Sequence, residues 1–226
     1  MTPQMESQWQ DYYKSRFVKD ANRERVWKHI ARFLNGYLDL NENCVVLELG
    51  AGYGSWIRNI PCKKRVALDL NPDIKKHFQS EGLDQIQTYV GDCTDLEMFA
   101  NGSIDIVLAS NLLEHLEYDE VERCLGSVYR VLKANGRFCI VQPNFSLCPK
   151  QYFDDFTHKT IFTDNGLADW LATKGFQVLH KWKRFLPFSM KSGGLAAKLD
   201  ILVPLYLHSP WKPMAGQMAL VARKLK

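Results

Sequence analysis

No stretch of this sequence approaches the roughly 18 consecutive apolar residues that a bilayer-spanning helix needs. The opening residues, MTPQMESQWQDYYK, are polar and lack the apolar centre of a signal peptide. Cysteine occurs at positions 44, 62, 93, 124, 139 and 148 but never as a C-x-x-C pair. That spacing argues against a zinc ribbon or a dithiol redox site, and the scattered thiols read as reduced. A cytoplasmic location is the expectation, with peripheral membrane contact left open. Internal repeats and low-complexity tracts are also missing, which argues against a solenoid or a disordered chain. Acidic residues are scarce in one place. From Trp170 to Lys226 ten Lys and Arg face a single acid, Asp200, although the whole chain carries only +4. This basic end either meets an anion (a phosphorylated substrate, nucleic acid or lipid headgroups) or is a solvated surface.

What is present is an ordinary globular composition: 226 residues, 46% hydrophobic and 24% charged. The length suits one α/β domain with extensions. Val26, Trp27, Ile30, Phe33, Leu34, Tyr37 and Leu38 recur at helical spacing and predict an amphipathic helix ahead of the first strand. CVVLELG, RVALDL, IQTYVGD, SIDIVLAS and RFCIVQP read as strands, with helical stretches between them. Asn71 and Pro72 are expected to open one helix as N-cap and first residue. EVERCLGSVYRVLKANG is expected to be helical as far as Asn135-Gly136. Past Pro143 a loop leads to a helix capped by Thr163 and ending before Gly175, then to the strands FQVLHKW and MALVARK. This order predicts an α/β, Rossmann-like fold with a mostly parallel seven-stranded sheet and helices on both faces. Within it, residues 1–40 form a leading helical segment, 41–145 a cofactor-binding core, and 146–226 a substrate cover with the last strands.

The stretch VVLELGAGYGSW, residues 45–56, carries the first chemical signal. In a parallel sheet ligands bind beyond the C-terminal strand ends. Glycines there let backbone approach a ligand with no Cβ in the way. A dinucleotide loop wants G-x-G-x-x-G; here Gly50, Gly52 and Gly54 alternate and position 55 is Ser, which leans away from NAD. Glu48, Asp69 and Asp92 stand at three successive strand ends. Unpaired buried carboxylates are costly, so this pattern asks for a cationic or multiply donating ligand.

Over residues 40–145 the chain resembles the class I S-adenosylmethionine-dependent methyltransferases. LELGAGYG is similar to their glycine motif, VALDLNP to the acidic second-strand end, VGDCTDL to the third, and IDIVLASNLLEHL to the fourth strand and its exit. The resemblance implies S-adenosylmethionine as cofactor, with Glu48, Gly50, Ala51, Gly52 and Gly54 around it. Asp69 would then meet the ribose, with Leu70 a further cofactor contact, Asp92 and Cys93 would meet the adenine, and Ser110 and Asn111 the methionine moiety. YFDDFTHKTIFTDNGLADWLATKGF, RFLPFSMKS and LYLHSPWKPMAGQMALVARK resemble bacterial members associated with surface-polysaccharide or glycolipid biosynthesis.

For the acceptor the residues say less. SNLLEHL stands where enzymes that methylate amide or base nitrogens carry D-P-P-Y or N-P-P-Y. This favours O-methylation of a sugar, glycolipid or other small molecule, anionic or lipid-linked acceptors included. YFDDFTHK offers His158 as a general base oriented by Asp155, with Tyr152 and Phe156 as aromatic walls. The alternative is a surface loop whose acids cap a helix, and a divalent metal there would need more oxygen ligands than the loop supplies. No metal is therefore assigned. His115 is the second catalytic candidate, also readable as a cofactor contact or helix cap, and Glu114 reads as structural. Trp182 and Arg184 are expected on one face of a strand, with Arg184 able to clamp a phosphate. Tyr12, Tyr13 and Arg16 are candidates to close over the cofactor, or simple packing. Two rivals remain: an RNA methyltransferase, disfavoured because the basic end is not a Lys/Arg-dense helix or RNA-binding module, and a non-catalytic cofactor-binding partner subunit.

Overall fold

A computed structural model of the chain describes residues 21–188 and 202–226. Tyr12, Tyr13 and Arg16 lie outside the described residues. The first helix, α1 (Ala21–Asn35), buries Trp27, Ile30, Ala31 and Leu34 at three- and four-residue spacing. Each such large apolar side chain contributes roughly 1.5–3 kcal/mol on burial, and this docks the helix on the sheet.

The strands are β1 (Val45–Leu49), β2 (Lys64–Asp69), β3 (Gln87–Val90), β4 (Ile104–Ser110), β5 (Leu132–Pro143), β6 (Phe176–Trp182) and β7 (Gln217–Lys224). They form one sheet in the order β3-β2-β1-β4-β5-β7-β6. The first five are parallel; β7 runs antiparallel to both β5 and β6. The expected mostly parallel seven-stranded sheet is what the chain builds.

Alternation along each strand feeds two cores. Val46, Ala67, Ile106, Leu108, Cys139 and Val141 pack on the face that takes α1 and the short helices α2 (Ile74–Ser80) and α5 (Leu202–His208). Leu47, Leu68, Val107, Phe138 and Ile140 pack on the face that takes α3 (Tyr118–Val131) and α4 (Asp164–Thr173). All six cysteines are buried and free of disulfides. Among the described residues no helix is long and apolar enough to cross a membrane.

Three local expectations are corrected. The helix expected to run to Asn135 ends at Val131, because Leu132 already pairs with Ile104 as β5 begins. The pairing then slips, so that Arg137 stands opposite Ile106, and Asn135 takes φ +63° within the extra residues. At α2 the N-cap is Asp73 rather than Asn71. The Asn71 side chain instead accepts from the Asp73 backbone N–H at 3.0 Å, closing a turn ahead of the helix. Thr163 caps α4 as expected, accepting from the Gly166 N–H at 3.1 Å.

The third correction concerns Arg184. It lies beyond Trp182, the last residue of β6, on the exposed surface, while Trp182 packs into the α1 layer against Phe33 and Tyr37. The two residues do not share a strand face. Much of the basic end is spent inside the molecule. Lys224 donates to the Tyr129 and Leu132 carbonyls at the end of α3, at 2.7 and 2.8 Å. Lys212, buried, donates to the Leu207 carbonyl at the end of α5 at 2.6 Å. Lys174 pairs with Glu122, and Lys181 donates to Asn165. These lysines cap helices and tie elements together rather than form a basic patch.

Candidate active site

The parallel strands end along one edge of the sheet, where Leu49 pairs with Leu68 and Ala109, Asp69 with Val90, and Ser110 with Val141. β7 starts at the same edge, with Gln217 opposite Pro143. Strand order reverses between β1 and β4, the place where a crevice opens in such sheets.

The glycine loop occupies that place. Gly50 and Gly54 sit at φ +61° and +68°, and a Cβ on either would strike protein: Leu112 Cδ1 at 2.9 Å and Phe78 Cζ at 2.6 Å. The Ala51 N–H donates to the Leu68 carbonyl at 3.1 Å, drawing the loop across the end of β2. The Gly52 N–H donates to one oxygen of Asp69 at 2.7 Å, and the Asn71 N–H to the other at 2.9 Å. Glu48 accepts from the Ile57 N–H at 2.9 Å. Burial raises its carboxyl from 4.5 to about 8, an effect opposed by the Ile57 hydrogen bond and reinforced by the nearby Asp69 charge. Through its bond to the Ile57 N–H, Glu48 clasps the loop.

The remaining cofactor candidates line the same edge. Leu70 is half-exposed. Asp92 is exposed and accepts from the Thr94 N–H at 2.8 Å, with Cys93 buried beside it. Asn111 sits at φ +48°, donates its N–H to the Val141 carbonyl at 2.8 Å, and hydrogen-bonds the Ser110 hydroxyl through its amide at 3.1 Å. Its side-chain oxygen accepts from Gln217 at 3.2 Å. Gln217, from the last strand, was invisible in the sequence because no local motif marks a residue that arrives by antiparallel return.

A second group adjoins the loop. Leu112, the residue against Gly50, is followed by a 3₁₀ turn, Leu113–His115. The segment after β5 docks on this turn. The Lys159 N–H donates to the Glu114 carbonyl at 2.8 Å, and the Thr160 hydroxyl to the Leu116 carbonyl at 2.7 Å. This brings His158 beside His115, with ring centroids 4.9 Å apart, and Tyr152 4.8 Å from His158. The Tyr152 hydroxyl donates to the Thr160 carbonyl at 2.7 Å, and burial raises its pKa.

Asp155 reaches this pair through Thr157. The Thr157 hydroxyl donates to Asp155 at 2.6 Å and stands 2.9 Å from His115 Nδ1, which is also 3.3 Å from the Thr157 carbonyl. With its one proton directed to the carboxylate, the hydroxyl accepts from Nδ1, as the carbonyl must. The proton of neutral His115 therefore resides on Nδ1 and the lone pair on Nε2. Thr157 thus links Asp155 to His115.

Phe156 is 82% exposed, so the aromatic wall expected around His158 is Tyr152 with the His115 ring. Glu114, which reads as structural in the sequence, is fully buried. Apart from its own backbone N–H, neither carboxyl oxygen has a hydrogen-bond partner among the described residues. Burial raises this carboxyl from 4.5 to about 8, with Asp155 adding to the rise. Gln142, fully buried on β5, likewise has no partner for its amide among the described residues.

Residues 47–140 match the family model described as a methyltransferase domain. This is a methyltransferase, and its cofactor is S-adenosylmethionine. The methyltransferase is 25% identical over 205 residues to an uncharacterized protein of Methanocaldococcus jannaschii, covering 88% of this chain and 81% of that one. A chain of the complex between the Haloferax volcanii Trm112 methyltransferase activator and a methyltransferase superposes at TM-score 0.67, with 16% identity, over 93% of this chain and all of that one. A SAM-dependent methyltransferase of Archaeoglobus fulgidus superposes at TM-score 0.61, with 19% identity, over 88% of this chain and 94% of that one. These likenesses place the fold of the methyltransferase in class I, as its strand order does.

Proposed function

We propose that this methyltransferase methylates a hydroxyl of a small acceptor, a sugar or glycolipid among the candidates, at the His115–His158 pair. The observation that carries the reading is an oriented imidazole, His115, at the end of the 3₁₀ turn that directly follows the residue packed against Gly50. When bound, S-adenosylmethionine supplies a methyl on a positive sulfur; the C–S bond breaks as the C–O bond forms, and its electron pair stays on sulfur. The chain has to hold the cofactor, align the hydroxyl and take its proton.

Gly50, Ala51, Gly52 and Gly54 offer a surface without bulky side chains, and Asp69 offers its carboxylate to ribose hydroxyls while the Gly52 and Asn71 N–H groups hold it in place. Leu70, Asp92 and Cys93 are the adenine and ribose contacts in this reading, and Ser110 and Asn111 those of the methionine end. Proton acceptance falls to Nε2 of His115 or to His158 beside it. Asp155 supports the imidazolium that forms, acting through the Thr157 hydroxyl. Tyr152 closes one side of His158. Exposed Phe153, Phe156, Trp211 and Met214 on the covering segments fit an acceptor with an apolar, lipid-linked part.

The test is transfer of labelled methyl groups from S-adenosylmethionine to a panel of sugars, glycolipids and phenols, beside tRNA and glutamine-containing peptides. O-methyl products support the reading; methylation confined to nucleic acid or amide nitrogen overturns it. A second reading draws on the Haloferax structural neighbour, solved with a methyltransferase activator: a partner protein would be required for activity, or this chain would serve as the partner. Retention of full turnover by the isolated chain excludes it.

A further inference from the structure

Glu114, His115 and His158 each offer one ligand-capable atom, and all three atoms lie within 4.8 Å of one another. Two residues come from the 3₁₀ turn after β4 and the third from the loop after β5, so the group is assembled by the fold and not by a local motif. The two pieces are locked together by the bonds from Lys159 and Thr160 to the turn.

Two independent observations bear on what this group could hold. The first is Glu114, a fully buried carboxyl whose oxygens have no partner beyond its own backbone N–H among the described residues. A buried polar group left in that state costs about 1–3 kcal/mol, and two imidazoles stand within reach of Glu114. The second is the tautomer of His115. Nδ1 is committed as donor to Thr157, which leaves the lone pair on Nε2, as a metal-ligating histidine requires. Asp155 behind Thr157 completes the carboxylate-backed arrangement that raises the basicity of a ligating imidazole.

We propose that Glu114, His115 and His158 form a binding site for one divalent transition-metal ion, of the zinc, manganese or iron class. Two imidazoles and one carboxylate suit such ions better than magnesium or calcium, which ask for a shell of oxygens. Around an ion with ligand bonds of about 2.0–2.2 Å, tetrahedral ligand atoms stand about 3.4 Å apart, so closure from the present spacing needs shifts of about 1 Å by side-chain rotation. Three protein ligands leave positions open for an acceptor oxygen. The role of the ion, as distinct from the site, rests on the hydroxyl-acceptor reading above. An acceptor hydroxyl on the ion would lose its proton to solvent before attack, and His115 and His158 would be ligands at that moment instead of bases.

The site is tested without reference to catalysis. The full-length protein, stripped with a chelator, is titrated with Co²⁺ by absorption spectroscopy and with Zn²⁺ by calorimetry. The expected result is one equivalent bound, with visible ligand-field bands, and loss of that equivalent in Glu114→Gln, His115→Ala and His158→Ala, but not in His180→Ala. Thr157→Val, which keeps all three ligands and removes the hydroxyl that links His115 to Asp155, should weaken binding by about 10–100-fold. Circular dichroism and S-adenosylmethionine binding establish that each variant is folded. Absence of a bound equivalent in the wild type, or binding indifferent to all three ligand substitutions, overturns the site. A bound ion with methyl transfer undiminished by chelation keeps the site and removes its role; a bound ion with no hydroxyl acceptor found overturns the hydroxyl reading alone.

Discussion

His115 Nδ1 lies 2.9 Å from the hydroxyl of Thr157, a residue 42 positions later in the chain. That one contact ties the exit of β4 to the loop after β5, fixes which ring nitrogen of His115 carries the proton, and connects the imidazole to Asp155. Thr157→Val keeps the shape and removes the contact. The imidazole then keeps only the longer contact to the backbone carbonyl of residue 157 and loses the hydroxyl that links it to Asp155, a hydrogen bond to the charged form worth about 1.5–3 kcal/mol. Turnover should fall by roughly 10–100-fold, while Thr157→Ser stays near wild type. Equal activity in the valine variant would show that the tautomer is not held by this residue.

Asp69 ends β2 and accepts from the N–H groups of Gly52 and Asn71. Asp69→Ala should weaken S-adenosylmethionine binding by about 1.5–3 kcal/mol, measured by calorimetry. It also leaves the Gly52 and Asn71 N–H groups without their acceptor, so the cofactor-free protein should melt earlier. Wild-type cofactor affinity in this variant would contradict the placement of the ribose here.

Gly54 should tolerate no side chain. Gly54→Ala would force an L-residue to φ +68° and press its methyl into the Phe78 ring, at 2.6 Å from Cζ. The backbone strain alone is about 1–3 kcal/mol. Combining it with Phe78→Leu relieves the collision and not the strain, so thermal melting should recover only in part. Full stability of the single variant would contradict the loop conformation.

Glu48 gives the fold a pH dependence of known sign. Its carboxyl rises from 4.5 to about 8 on folding, so between these values the folded chain binds the proton more readily than the unfolded one. Its contribution is fully present below pH 4.5 and is lost as pH rises through about 8. Glu48→Gln keeps an acceptor for the Ile57 N–H without a titrating group. Melting curves between pH 5 and 9 should flatten in the variant relative to the wild type. A wild-type slope left intact by the substitution would remove Glu48 as its source.

The sequence made the sheet legible because each strand is a run of Val, Ile and Leu whose alternation fills both faces, and because Gly50, Gly52, Gly54, Asp69 and Asp92 fall at consecutive strand ends. Such local, periodic signals survive without coordinates. The end of α3 was misread because Asn135-Gly136 is a common helix stop, yet pairing of Leu132 with Ile104 outweighed it. The histidine site was half legible. His158 and His115 stood out by residue type, but the link from Asp155 to His115 through Thr157 depends on two loops meeting in space. Glu114 was taken as structural because nothing in LLEHL says that a carboxyl will be buried without a partner. Gln217 and Gln142 carry no local signal at all.

The most direct test of the account is a transfer reaction with S-adenosylmethionine carrying a ¹³C-labelled methyl group, read by NMR of the product for wild type, His115→Ala and His158→Ala. The account predicts an O-methyl carbon signal from a small hydroxylated acceptor, with turnover reduced by roughly 10²–10⁴-fold in each variant and cofactor affinity unchanged. An N-methyl or C-methyl product, or an O-methyl product formed at wild-type rate by both variants, would contradict it.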